Sequence, residues 1–165
     1  MVLTFLGIDP GVSGGLAALT EDRELLVREM PDSEHDLWNW LNEYAAWPED
    51  GNDFRTIATI EQVHAFPKQG VTSMFTFGRS YGLLRGMLVA ASISFSEVTP
   101  RKWQKYLDIS PKRQAESKPD FKRRLRNHAQ RLFPRYSNVI TAKVADAVLL
   151  AEYGRRQFSI ENDGC

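Results

Sequence analysis

Cysteine is nearly missing from this chain: among 165 residues there is one, Cys165. A single cysteine excludes an intrachain disulfide and any Cys-based zinc site, and an intracellular compartment is the resulting expectation. Long apolar runs are missing too, none approaching the roughly 20 residues that span a bilayer. The opening MVLTFLGID has no basic flank and reaches Asp9 early, so it does not read as a secretion signal. Histidine is sparse, at His35, His64 and His128, and only His64, three residues beyond Glu61, offers a His-centred general base. Ser13 lies in a Gly-rich turn with no evident triad, which excludes acyl transfer as its role.

Apolar and aromatic residues are plentiful. Four Trp and nine Phe, with many Leu, Val and Ile, suffice to offset the entropy of ordering the backbone, which points to one globular domain over residues 1–165. The formal net charge is zero, but the charge is segregated. Thr20 to Arg55 holds eleven Asp/Glu against three Lys/Arg, whereas Arg101 to Arg135 holds twelve Lys/Arg against three Asp/Glu. A basic segment of that density suits either a solvated helix face or a polyanion.

The apolar pattern predicts strands over Met1–Asp9, Leu16–Thr20 and Glu24–Met30, an antiparallel meander joined by short polar turns. Ser33 is placed to cap a helix carrying Leu37, Trp38, Leu41, Tyr44 and Ala45 at helical spacing. Thr56–Gln62 and Ile93–Val98 read as buried strands, separated by a long helix over about Thr72–Ala91. In that helix Gly78, Gly82 and Gly86 stand four apart and leave one face bare. Further helices are expected from Thr99-Pro100, over Phe121–Phe133 and over Thr141–Arg156, with Ser110–Pro119 as a mobile loop. The fold class is α/β: a mixed sheet, three antiparallel strands followed by parallel strands, flanked by helices.

Three apolar elements each carry one carboxylate: Asp9 closes a strand, Glu61 ends another, and Asp146 sits within KVADAVLL. A buried carboxylate is costly unless paired, hydrogen-bonded or bound to a metal. Converged, the three would favour a divalent cation, and hard oxygen donors select Mg²⁺ or Mn²⁺ over zinc. Each residue also has an ordinary reading: an Asx-turn for Asp9, a strand end for Glu61, an exposed helical position for Asp146. Spacing alone leaves these open.

The segments GIDPGVSGGLA, TIEQVHAFPKQG and KVADAVLLAEYG together resemble RuvC-type Holliday junction resolvases of the ribonuclease-H-like superfamily, with the nearest likeness to the branch of phages and chloroplasts. The likeness runs from about Leu3 to Gly154. It implies a ribonuclease-H-like fold, a homodimer, and paired symmetrical nicks in a four-way DNA junction with Mg²⁺, for which Mn²⁺ substitutes. It also implies metal-binding, catalytic roles for Asp9, Glu61 and Asp146. The pattern departs where that family carries a further Asp or His three or four residues before the last carboxylate, since Ala142 and Lys143 stand there. On the expected helix Lys143 would share a face with Asp146. Two outcomes stay open: Lys143 assists catalysis at the scissile phosphate, or it weakens binding of a second metal.

Two groups are candidates for DNA contact. Phe66, Lys68, Gln69, Arg79 and Ser80 follow Glu61, and Phe66 has the shape to stack on an unpaired base. Arg101, Lys102, Lys105, Lys112, Arg113, Lys118, Lys122 and Arg123 suit non-specific phosphate binding. Trp103, Tyr106 and Phe121 are expected in the core instead. Tyr81, Leu84, Met87 and Leu88 are candidates for either a dimer interface or the core. The leading function is a structure-selective endonuclease acting on branched DNA, with no membrane partner and no organic cofactor. The alternatives are a branched-DNA binder that cuts slowly or not at all, and a ribonuclease acting on RNA–DNA hybrids. An actin-like ATPase needs two related lobes and about twice this length.

Overall fold

The computed structural model describes residues 2–45, 54–62 and 70–163. Strands β1 (Val2–Asp9), β2 (Gly15–Thr20) and β3 (Leu25–Glu29) form the antiparallel meander, and β4 (Phe54–Glu61) and β5 (Ser94–Val98) extend it in parallel. The five strands lie in the order β3-β2-β1-β4-β5, so β1 and β4 are central neighbours. Helices are α1 (Glu34–Asn42), α2 (Val71–Ala90), α3 (Pro100–Tyr106), α4 (Lys118–Leu132) and α5 (Ala145–Asp163). Ser33 and Ser117 begin α1 and α4 by accepting a hydrogen bond from the backbone N–H three residues on, at Asp36 (3.0 Å) and Asp120 (3.2 Å).

Successive strand residues point to opposite faces, so the sheet carries two cores. Leu6, Ile8, Leu16, Ala18, Ala58 and Ile60 pack with Leu37, Trp40 and Leu41 of α1 and with Leu84 and Leu88 of α2. On the other face Ala17 and Leu19 meet α3, α4 and α5 through Trp103, Leu125, Ala129 and the run Ala147–Ala151. Helix α5 lies directly on β1 and β2. Gly7 permits that approach: a Cβ there would land on the Ala147 carbonyl oxygen and the Ala151 nitrogen. Gly154 does the same over Thr59 of β4.

Three expectations change. Helix α5 starts at Ala145, not Thr141, because residues 142–144 form a turn closed by Ala145 N–H to the Thr141 carbonyl at 3.1 Å. The segment 110–117 is tied down: Arg124 donates to the carbonyls of Ser110 (2.8 Å) and Pro111 (3.1 Å) and pairs with Glu116 (2.9 Å). Leu84 and Leu88 are buried, and Tyr81 and Met87 pack against the same cluster, so these four residues serve the core. The apolar face that α2 leaves exposed is Val71, Phe75 and Val89, in line with Gly78, Gly82 and Gly86.

Candidate functional site

Asp9 and Glu61 end adjacent parallel strands, one step beyond the paired residues Ile8 and Ile60. Period-2 alternation decides where they point. Asp9 is two residues past Gly7, which abuts Ala147, and Glu61 is two past Thr59, which abuts Gly154. Both carboxylates therefore share the α5 face of the sheet. Asp146 lies in the first turn of α5, where the helix dipole favours a negative charge. Asp9 and Asp146 are both buried.

The three carboxylates act on one another. Asp9 is pushed up to about 7 by burial first, then by the charges of Asp146 and Glu61. Burial also raises Glu61, opposed by a hydrogen bond from Trp103 and augmented by the Asp146 charge. Trp103 Nε1 donates to Glu61 Oε1 at 3.0 Å and fixes that carboxylate. Asp146 Oδ1 is buried and has no hydrogen-bond partner among the described residues. A buried oxygen of that kind is costly unless something fills its place.

The fourth member is a cation. Lys122, from α4, places its Nζ 2.5 Å from Asp146 Oδ2 and 3.9 Å from Asp9 Oδ2. Burial alone would lower the Lys122 pKa, but the charge and hydrogen bond of Asp146, with Asp9 and Glu61, raise it. Among the described residues three carboxylates thus face one ammonium, an arrangement short of positive charge. No group of three His, Cys, Asp or Glu among the described residues forms a ready metal-binding set. The donor chemistry nevertheless fits a hard divalent ion. Asp9, Glu61 and Asp146 supply oxygens only, and Asp146 Oδ1 is already desolvated without a donor among the described residues.

The other sequence candidates lie as follows. Lys143 is not on the Asp146 face of α5. It sits in the preceding turn, with Nζ 2.6 Å from Glu29 at the end of β3. Among the DNA-contact candidates, Lys122 belongs to the acidic centre. Arg101, Lys102 and Lys105 on α3, Lys112 and Arg113 on the pinned segment, and Lys118 and Arg123 on α4 are exposed. Arg123 pairs with Asp120 at 2.8 Å. Arg79 and Ser80 lie on α2 beside the Pro10–Val12 turn; Arg79 pairs with Glu34 at 3.6 Å, and the Ser80 hydroxyl donates to the Thr76 carbonyl at 3.1 Å. His64, Phe66, Lys68 and Gln69 fall outside the described residues. Tyr106 and Phe121 pack against the core, as expected.

Sequence reasoning missed Lys122 as a partner of the acids and Trp103 as the holder of Glu61. Both had a signal. Lys122 precedes the inward-facing Leu125 and Ala129 by one and two helical turns, and a buried indole N–H needs an acceptor.

No family model matches the chain, and no curated protein matches it. Solved structures do. "T. thermophilus RuvC in complex with Holliday junction substrate" superposes with a TM-score of 0.57 at 16% identity, over 95% of this chain and 96% of that one. "Thermus thermophilus RuvC structure" superposes with a TM-score of 0.52 at 14% identity, over the same shares. The chain has the fold of these RuvC structures: a ribonuclease-H-like mixed sheet between two helical layers.

Proposed function

We propose that this protein is a metal-dependent endonuclease that resolves four-way DNA junctions by paired, symmetrical nicks. The observation that carries the reading is that Asp9, Glu61 and Asp146, from three separate elements, lie close enough for the charges of Glu61 and Asp146 to raise Asp9, and that a buried Asp146 oxygen there has no hydrogen-bond partner among the described residues. It is joined by the shared fold with a resolvase structure solved on a Holliday junction.

Asp9, Glu61 and Asp146 would hold Mg²⁺ or Mn²⁺. Such an ion supplies a water activated for attack on phosphorus and stabilisation of the leaving oxygen. The remaining work belongs to the chain. Trp103 holds Glu61 in one orientation through its indole N–H. Lys122, whose side chain is about one-third exposed, reaches from the edge of the site and offers its ammonium to a phosphate oxygen. The exposed cations of α3, the 110–117 segment and α4 form the surface along which duplex arms lie. Lys143, engaged by Glu29, is assigned no catalytic part.

Matched nicks need two active sites, hence two copies. We assign the interface to the α2 face of Val71, Phe75, Gly78, Gly82, Gly86 and Val89. Val71 is 80% exposed and Phe75 73%, and a Cβ at any of the three glycines would meet nothing within 4 Å. Small residues at this spacing admit a second helix closely.

The test is a synthetic four-way junction with each strand labelled in turn, incubated with the protein and Mg²⁺. Nicks at symmetry-related positions near the branch point, abolished by Asp146→Asn while the gel shift persists, support resolution. A shift without nicks leaves branched-DNA binding alone, and preferential cutting of an RNA–DNA hybrid reassigns the substrate.

A further inference from the structure

We propose that Lys122 is a tethered counter-cation that holds the acidic centre together in the absence of a divalent ion and competes with that ion for the same carboxylates. The inference rests on the metal-binding reading above and adds to it a role for this chain's own lysine.

The geometry has three parts. First, the ammonium bridges two of the three acids, at 2.5 Å from Asp146 Oδ2 and 3.9 Å from Asp9 Oδ2. A cation in that position repels a second cation seeking the same oxygens. Second, Lys122 satisfies only half of Asp146. Oδ1 stays buried and without a partner among the described residues, so the monovalent group leaves a donor position that a multidentate ion would fill. Third, the groups differ in freedom. The side chains of Asp146 and Asp9 are 6% and 13% exposed, whereas that of Lys122 is 34% exposed on a flexible stem. Its backbone is fixed on a helix whose N-terminus is capped by Ser117 and braced by Arg124 against Ser110, Pro111 and Glu116. The carboxylates therefore stay while the ammonium has a solvent-facing way out. Displacement of Lys122 sets its charge free at the mouth of the site, where a phosphate arrives.

Mn²⁺ affinity is measured by calorimetric titration of the full-length protein, of Lys122→Met, of Lys122→Arg and of Asp146→Asn. The expected result is at least a tenfold tighter Mn²⁺ complex for Lys122→Met, little change for Lys122→Arg, and loss of binding for Asp146→Asn. Mn²⁺ also raises the melting temperature of Lys122→Met more than that of the natural sequence. Equal or weaker Mn²⁺ binding by Lys122→Met, with Asp146→Asn still abolishing it, overturns the competition and leaves the metal centre standing. No Mn²⁺ binding by any variant overturns both. Should Lys122→Met not fold without metal, the natural sequence itself is decisive. The ¹⁵N-lysine ammonium signal of Lys122, protected from exchange in EDTA, loses that protection as Mg²⁺ saturates the site; a signal unmoved at saturation overturns the proposal.

Discussion

Asp9→Asn removes one negative charge from the crowded centre while keeping the side chain's shape, and its effect on stability has a definite sign. In the folded, metal-free protein burial and the neighbouring carboxylates lift Asp9 from 3.8 to about 7. Between those values the folded chain holds a proton that the unfolded chain has released. Asp9's contribution to stability therefore falls as pH rises through that window, and is least favourable above pH 7. One pH unit is worth about 1.4 kcal/mol for a single group, which sets a ceiling of about 4 kcal/mol for the difference across the window. Urea denaturation in EDTA, repeated from pH 4 to 8.5, reads this directly. Asp9→Asn should match the natural sequence near pH 4 and exceed it by about 2–4 kcal/mol at pH 8. Glu61, also raised by burial, acts with the same sign in both proteins, and its charge is part of what lifts Asp9. A variant no more stable than the natural sequence at pH 8, or a difference that does not grow with pH, refutes the reasoning.

Three further outcomes follow from the same geometry. Trp103→Phe deletes the indole donor to Glu61 and should slow junction cleavage about 10- to 100-fold, with junction affinity in a gel shift left within about twofold. Gly7→Ala drives a methyl group into the backbone of α5 and should cost about 3 kcal/mol or more by chemical denaturation, since neither Ala147 nor Ala151 can move without lifting the helix from the sheet. Phe75→Glu places a charge on the bare α2 face; its stability should stay within about 0.5 kcal/mol, while sedimentation equilibrium shows monomers and junction nicks become unpaired.

The strands and most helices were legible because their apolar periodicity is strong, and Ser33 and Pro100 mark helix starts. The carboxylates were conspicuous for a physical reason: Asp9 and Glu61 are each the one acid in an apolar strand, and Asp146 sits in an apolar stretch at the start of α5, placements that are expensive on their own. Their mutual approach was not legible, because it depends on α5 crossing β1 at Gly7 and β4 at Gly154. Lys143 was misplaced since Thr141–Val144 continues a helical pattern, while the chain there turns and ties Lys143 to the sheet edge at Glu29. Lys122 was hidden in a run of like charges. Its neighbour Arg123 faces solvent and Arg124 braces the preceding segment, so three consecutive cations have three different fates that only the packing of α4 on α5 separates. The Ser110–Pro119 stretch has turn composition, yet Arg124 reaches back and pins it.

A crystal soaked in Mn²⁺ and measured at the manganese absorption edge tests the centre of this account most directly. Anomalous density between Asp9, Glu61 and Asp146, with Asp146 Oδ1 among the ligands, is the predicted result. Density elsewhere, or none at millimolar Mn²⁺ with all three carboxylates ordered, contradicts it.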